Sequence, residues 1–159
     1  MAFSRKLTLA LTGVAALASF AALQSTSATA ADTAAQAISE RQALLKSMGD
    51  SMRPLAAIAR GQAEADKAVM TRHANNIAAK ARGLSAAFEM DTRSSGIASD
   101  ALPAIWTSKA DFNRKAAALV TASRQMQTAA NSGDLASFRA ALGAVGQSCK
   151  DCHDTYRAD

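Results

Sequence analysis

The chain has 159 residues, 49% of them apolar and only 4% aromatic, which suits one domain and leaves too few rings for a base-stacking platform. Its formal charge is +5, and two of its 18 basic residues, Arg5 and Lys6, lie in a start that reads as an export signal. Without residues 1–30, 16 basic side chains face 13 acidic ones, and a charge of +3 is too small to read as nucleic-acid binding.

After Arg5 and Lys6, an apolar run from Leu7 to Leu23 is interrupted only by Thr8, Thr12, Gly13 and Ser19. Ala28-Thr29-Ala30 then supplies an A-x-A cleavage site, and Asp32 opens a polar stretch. Together these predict a cleaved secretory signal peptide over 1–30 and a mature domain over 31–159. The expected destination is the periplasm, with no permanent membrane anchor.

Alanine is abundant, β-branched residues are few and there are two prolines, so the composition favours helix. In a first segment Ile38, Leu45, Met48, Met52, Leu55 and Ala59 recur at threes and fours, and Gly61 ends it. Pro54 lies inside it and predicts a kink or local disturbance over 50–54. Met70, His73, Ile77, Ala81, Leu84 and Phe88 mark a second helix, followed by a polar loop from Glu89 to Ala101. Ile105, Phe112, Ala116, Leu119 and Met126 mark a third. Ser132-Gly133-Asp134 breaks the chain, with Asp134 placed to cap the fourth helix. That helix carries Leu135, Phe138, Leu142, Val145, Cys149, Cys152 and Tyr156 on one stripe.

Four helices with mostly short links predict an all-α, antiparallel up-down-up-down bundle. Such a bundle brings residues near 41–48, 84–93, 102–106 and 149–157 to one end. The stripe of the fourth helix includes Cys149-Lys-Asp-Cys152-His153, which holds the only two cysteines of the chain. C-x-x-C-H is the attachment sequence of c-type haem. Two thiols three residues apart share a helix face and can form thioethers to two vinyl groups, and the adjacent histidine can bind the iron. A thioredoxin-like pair would need a βαβ pattern, which is absent from the sequence, and structural zinc needs about four ligands. The reading is one covalent haem c per chain, its edge inside the bundle, with His153 as axial ligand.

Arg41 occupies a core-register position, where a guanidinium requires an anion; a haem propionate would supply one, and Gln42 could donate a further hydrogen bond. Leu45, one turn on, should cover the iron's distal face. Met48, Met90 and His73 are the other candidates for a sixth ligand. His73 stands roughly 17–22 Å from the haem end of its helix at 1.5 Å per residue, so it reads as a core or boundary histidine.

Four pieces of the chain resemble the class II c-type cytochromes, cytochrome c′ and cytochrome c-556. They are Glu40-Arg41-Gln42 to Met52 with Pro54 and Gly61, Pro103-Ala104-Ile105-Trp106, Ser132-Gly133-Asp134, and Ser148 to Arg157. The resemblance implies a haem-bearing four-helix bundle, often a homodimer through its first two helices. It implies propionate-side contacts from Arg41 and Gln42, further haem contacts from Thr92 and Arg93, and Arg157 near the proximal face. At the position of Leu45 the c-556 branch has an axial Met, whereas many cytochromes c′ have an apolar residue and a five-coordinate iron.

The leading expectation is a c′-type haem protein, not an enzyme, that transfers electrons or binds NO or CO. A low-spin electron carrier with Met48 as sixth ligand is the alternative, and a haem-free helical bundle is the third. The redox partner has no signature in the sequence.

Overall fold

The computed structural model describes residues 18–158, with side chains described from residue 31. The basic start and most of the apolar run lie outside the described residues. The backbone of Ala28–Ala30 is helical, while their side chains lie outside the description. Contacts divide the chain into units 1–33 and 34–159, and the second carries the bundle. No helix among the described residues is long and apolar enough to cross a membrane.

Six helices follow in order: α1 (Ala18–Ala59), α2 (Lys67–Ala81), α3 (Leu84–Ala87), α4 (Ala104–Thr107), α5 (Lys109–Ser132) and α6 (Leu135–Tyr156). The four long ones form the expected bundle. Its antiparallel order shows in the bonds between helix ends. Thr71 and Asn75 of α2 meet Ala130 and Gln127 of α5, and Asp111 of α5 meets Tyr156 of α6. The core centres on Leu55, Met70, Ile77, Phe112, Met126, Phe138 and Val145, all fully buried.

Helix α1 continues through Pro54 without an interruption of its helical assignment. Proline removes one hydrogen bond from the ladder, and the burial of Leu55 and Ile58 beside it holds the turn. The helix ends in a Schellman arrangement: Gly61 has φ 71°, its N–H donates to the Ile58 carbonyl, and the Gln62 N–H donates to that of Ala57. Arg139 of α6 satisfies the Ala59 carbonyl at 2.9 Å. Asp66 caps α2 by accepting from the N–H groups of Ala68 and Val69, and Asp134 caps α6 by accepting from those of Ala136 and Ser137.

Two segments expected as single helices are divided. The second stops at Ala81 and resumes as the single turn α3 after Gly83, which faces Leu44 of α1 at ordinary packing distance. The third begins as the short α4 after Pro103 and restarts beyond Ser108, which departs from helical geometry at ψ 41°. Ahead of α4, an isolated antiparallel bridge joins Ala101 to Arg157. In it the Leu102 N–H donates to the Tyr156 carbonyl and the Ala158 N–H to the Asp100 carbonyl.

Candidate haem site

A cavity of about 640 Å³ opens at the bundle end where α1, α3, α4 and the end of α6 converge. That size lies in the ordinary range for cofactor sites, roughly 300–1,000 Å³. On α6 its wall includes Cys149, Cys152 and His153; on α1 it includes Arg41, Gln42 and Leu45. Leu84, Phe88, Ile105 and Phe112 supply an apolar floor.

Cys149, Cys152, His153 and Tyr156 fall at spacings of three, one and three, which place them on one face of α6. Both cysteines are free and half-buried, and burial raises both thiol pKa values. His153 sits at the mouth. Partial burial, and then the positive charge of Arg157, lower its imidazole pKa, favouring the neutral form that binds metals. Tyr156 closes the inner end of this face. Its hydroxyl donates to Asp111 at 2.6 Å, its ring meets Phe112 edge-on at 5.4 Å, and burial with that bond pushes its pKa up to about 12.

Arg41 is only 2% exposed, and no carboxylate among the described residues pairs with it. Its Nε donates to the Ala87 carbonyl, Nη1 to Thr92 Oγ1 and Nη2 to the Met90 carbonyl. The guanidinium lies 4.3 Å from the Phe88 ring centre and 5.4 Å from that of Trp106. Burial lowers its pKa. Three bonds use three of a guanidinium's five N–H groups, so the charge is held in place but lacks a counter-charge.

The remaining sequence candidates separate. Gln42, Leu45, Met48 and Arg157 border the cavity; Met48 is buried, whereas Leu45 is 37% exposed. Thr92 and Arg93 do not reach the cavity wall. Thr92 is buried beneath Arg41, and Arg93 is held by its neighbour Asp91 through contacts of 2.6–3.0 Å. Met90 is exposed and contributes only its carbonyl. His73 bonds Ser51 at 3.3 Å, away from the cavity, as its distance along the helix required.

Sequence reasoning placed Trp106 at this end of the bundle but gave it no role; its indole N–H donates to the Phe88 and Met90 carbonyls, and Lys109, which it missed, donates to the Phe88 carbonyl. A tryptophan just after a proline in an aromatic-poor chain was the available signal. Gly49 and Met52, which border the cavity, carried none beyond helical register.

These residues fit a covalently bound tetrapyrrole with acidic substituents. Two thiols and an imidazole share one face, the floor is apolar, and an unneutralised buried cation stands at the edge. Fold and site together define the class, a helical bundle with a candidate c-type haem site on α6. Comparison with known proteins gives the family. The model for Cytochrome C′ matches residues 36–157. Cytochrome c′ of Rhodopseudomonas palustris is 39% identical over 121 residues, covering 76% of this chain and 81% of that protein. Cytochrome c-556 of Agrobacterium tumefaciens is 32% identical over 123 residues, covering 77% of this chain and 98% of the relative. Among solved structures, the nitric oxide complex of a leucine-to-alanine variant of cytochrome c′ from Alcaligenes xylosoxidans superposes with a TM-score of 0.72 at 32% identity. It covers 79% of this chain and 96% of that one. The chain belongs to the cytochrome c′ family and is a haem protein that carries haem c covalently.

Proposed function

We propose that Cys149 and Cys152 hold the haem by thioether bonds, that His153 is the proximal ligand, and that Leu45 covers the opposite face without ligating. Haem with one open coordination position supplies an iron that exchanges electrons and binds diatomic gases such as NO and CO. The chain's own residues attach, seat and enclose it. Cys149 and Cys152 would each hold the haem through a thioether to one of its vinyl groups. Arg41 offers its two remaining N–H groups and its charge to a propionate, and Gln42 lies one residue away at the same edge. Thr92 acts through Arg41, and Arg93 steadies the same loop through Asp91. Arg157 keeps positive charge on the proximal side.

The observation that carries this reading is the placement of Leu45. It borders the cavity one helical turn from Arg41, while Met48 is turned into the core at 6% exposure. The nitric oxide complexes of related cytochromes c′ support extending gas binding to this chain. The reduced holoprotein would then be high-spin and take up CO without first displacing a protein ligand from the iron. Leu45→Met should make it low-spin and suppress CO uptake, as read from the optical spectrum. Met48 also touches the cavity, so it is the alternative sixth ligand; a low-spin wild type that turns high-spin on Met48→Ala would establish the electron-carrier reading instead.

Export to the periplasm rests on the Arg5–Lys6 start and the Ala28–Ala30 site, with the mature chain beginning at Ala31. Pairing of two copies through α1 and α2 rests on the family resemblance alone.

A further inference from the structure

Resting on the reading of Leu45 as the distal cover, we infer that Gly49 is a second determinant of gas binding, its bare backbone being the clearance into which Leu45 moves when a diatomic ligand arrives. Gly49 is the only glycine of α1 and stands well inside the helix, where glycine is less favourable than alanine. A glycine in such a place usually marks the close approach of another element. Gly83, in the turn between α2 and α3, does have a neighbouring element in contact, with the Leu44 side chain 3.4 Å from where a Cβ would lie. At Gly49 a Cβ would meet no protein atom within 4 Å. Packing therefore does not account for this glycine, whereas its place on the cavity wall beside Leu45 does.

The direction of helical side chains sharpens the argument. Residues four apart share a face, and each side chain leans toward the helix N-terminus over the preceding turn. A side chain at 49 would therefore cover the ground next to Leu45. Met48, three residues after Leu45, is buried in the core, whereas the turn at Gly49 on the cavity wall offers Leu45 open ground to yield into. A methyl group there would oppose that movement and slow ligand entry while leaving the helix intact. Gly143 and Gly146 of α6 have equally open surroundings but do not border the cavity, so they serve as controls for a change in helix propensity alone.

The test measures CO association with the reduced holoprotein for Gly49→Ala, Leu45→Ala, the double variant and Gly143→Ala. Covalent haem content and far-ultraviolet circular dichroism are recorded alongside. Gly49→Ala should bind CO roughly tenfold more slowly, with haem content and helicity unchanged. Gly143→Ala should bind at the wild-type rate. In the Leu45→Ala background, Gly49→Ala should change the rate by no more than about twofold, because the residue that needed the clearance is gone. Equal slowing in both backgrounds overturns the inference and makes residue 49 a direct obstacle to the ligand. So does an unchanged rate in both. Lowered haem content in Gly49→Ala also overturns it, assigning the glycine to haem seating. A Leu45→Ala variant that binds CO no faster than wild type removes the reading of Leu45 itself, an outcome distinct from these.

Discussion

At the end of the bundle away from the cavity, α1 gives way to α2, and α5 to α6, through turns capped mainly by their own neighbours, with Arg139 and Thr71 adding bonds from other helices to the Ala59 and Ala130 carbonyls. Gly61 and Gly133 take positive φ, and Asp66 and Asp134 accept from the N–H groups that follow them. At the cavity end the segment 88–103 is fastened from a distance. Arg41 reaches partners 46, 49 and 51 residues along the chain, and Trp106 and Lys109 reach back to Phe88 and Met90. Local closure costs little loop entropy and leaves the helices packed on one another. Distant closure costs more, and it keeps a wall of the haem site in place without filling the space beside it.

Removing one long-range fastener should therefore cost more than removing a local cap. The largest effect is expected for Arg41→Ala, which strips three hydrogen bonds from the loop. Its stability to urea should fall by about 1.5–3 kcal/mol, the worth of one charged hydrogen bond, since the desolvation of the guanidinium is recovered in part. Trp106, the only tryptophan, reports on the same site by fluorescence. Unchanged stability would mean that Trp106 and Lys109 hold the loop alone.

A smaller effect is expected at Tyr156, whose partner Asp111 is partly solvated. Burial and the bond to Asp111 raise the tyrosine pKa to about 12, above its ordinary value of 10. A raised pKa stabilises the fold while the hydroxyl is protonated. That contribution is complete below pH 10 and is lost as pH climbs toward 12. Tyr156→Phe should be less stable than wild type at neutral pH and should lose the alkaline decline between those values, as followed by urea titration at each pH. A variant that declines in parallel with wild type would show that another group causes the loss.

The smallest effect is expected at the closed end, where Asp66→Ala removes a cap worth about 1 kcal/mol. It should leave the haem spectrum untouched. A loss as large as that of Arg41→Ala would erase the distinction between the two ends.

What was legible in the sequence follows the same division. The stripes from Ile38 to Ala59 and from Leu135 to Tyr156, the stop at Gly61 and the cap at Asp134 all depend on neighbours within about one turn, and all appear where periodicity and turn chemistry place them. The attachment motif is equally local. The break at Gly83 is marked in the sequence by a lone glycine and nothing more, so the run from Met70 to Phe88 read as continuous. Arg41 was recognisable as a cation out of place. Its partners, two main-chain carbonyls and a threonine hydroxyl in a loop, leave no mark in a sequence pattern. Thr92 and Arg93 entered through family resemblance, and in the structure they stand behind Arg41 and beside Asp91.

The bridge between Ala101 and Arg157 bears on how the molecule is assembled. Synthesis proceeds from the N-terminus, so the Asp100 carbonyl and the Leu102 N–H acquire their partners only when residues 156–158 have emerged. Until then three helices can form and begin to pack while the rim of the pocket stays unfastened. The segment bearing both thiols and the histidine is also the segment that closes the rim. A chain ending before Tyr156 would keep Cys149, Cys152 and His153 yet leave the Leu102 N–H and the Asp100 carbonyl without their partners. The final turn of α6 and the residues after it thus fasten the rim of the pocket beside the two cysteines proposed to hold the cofactor.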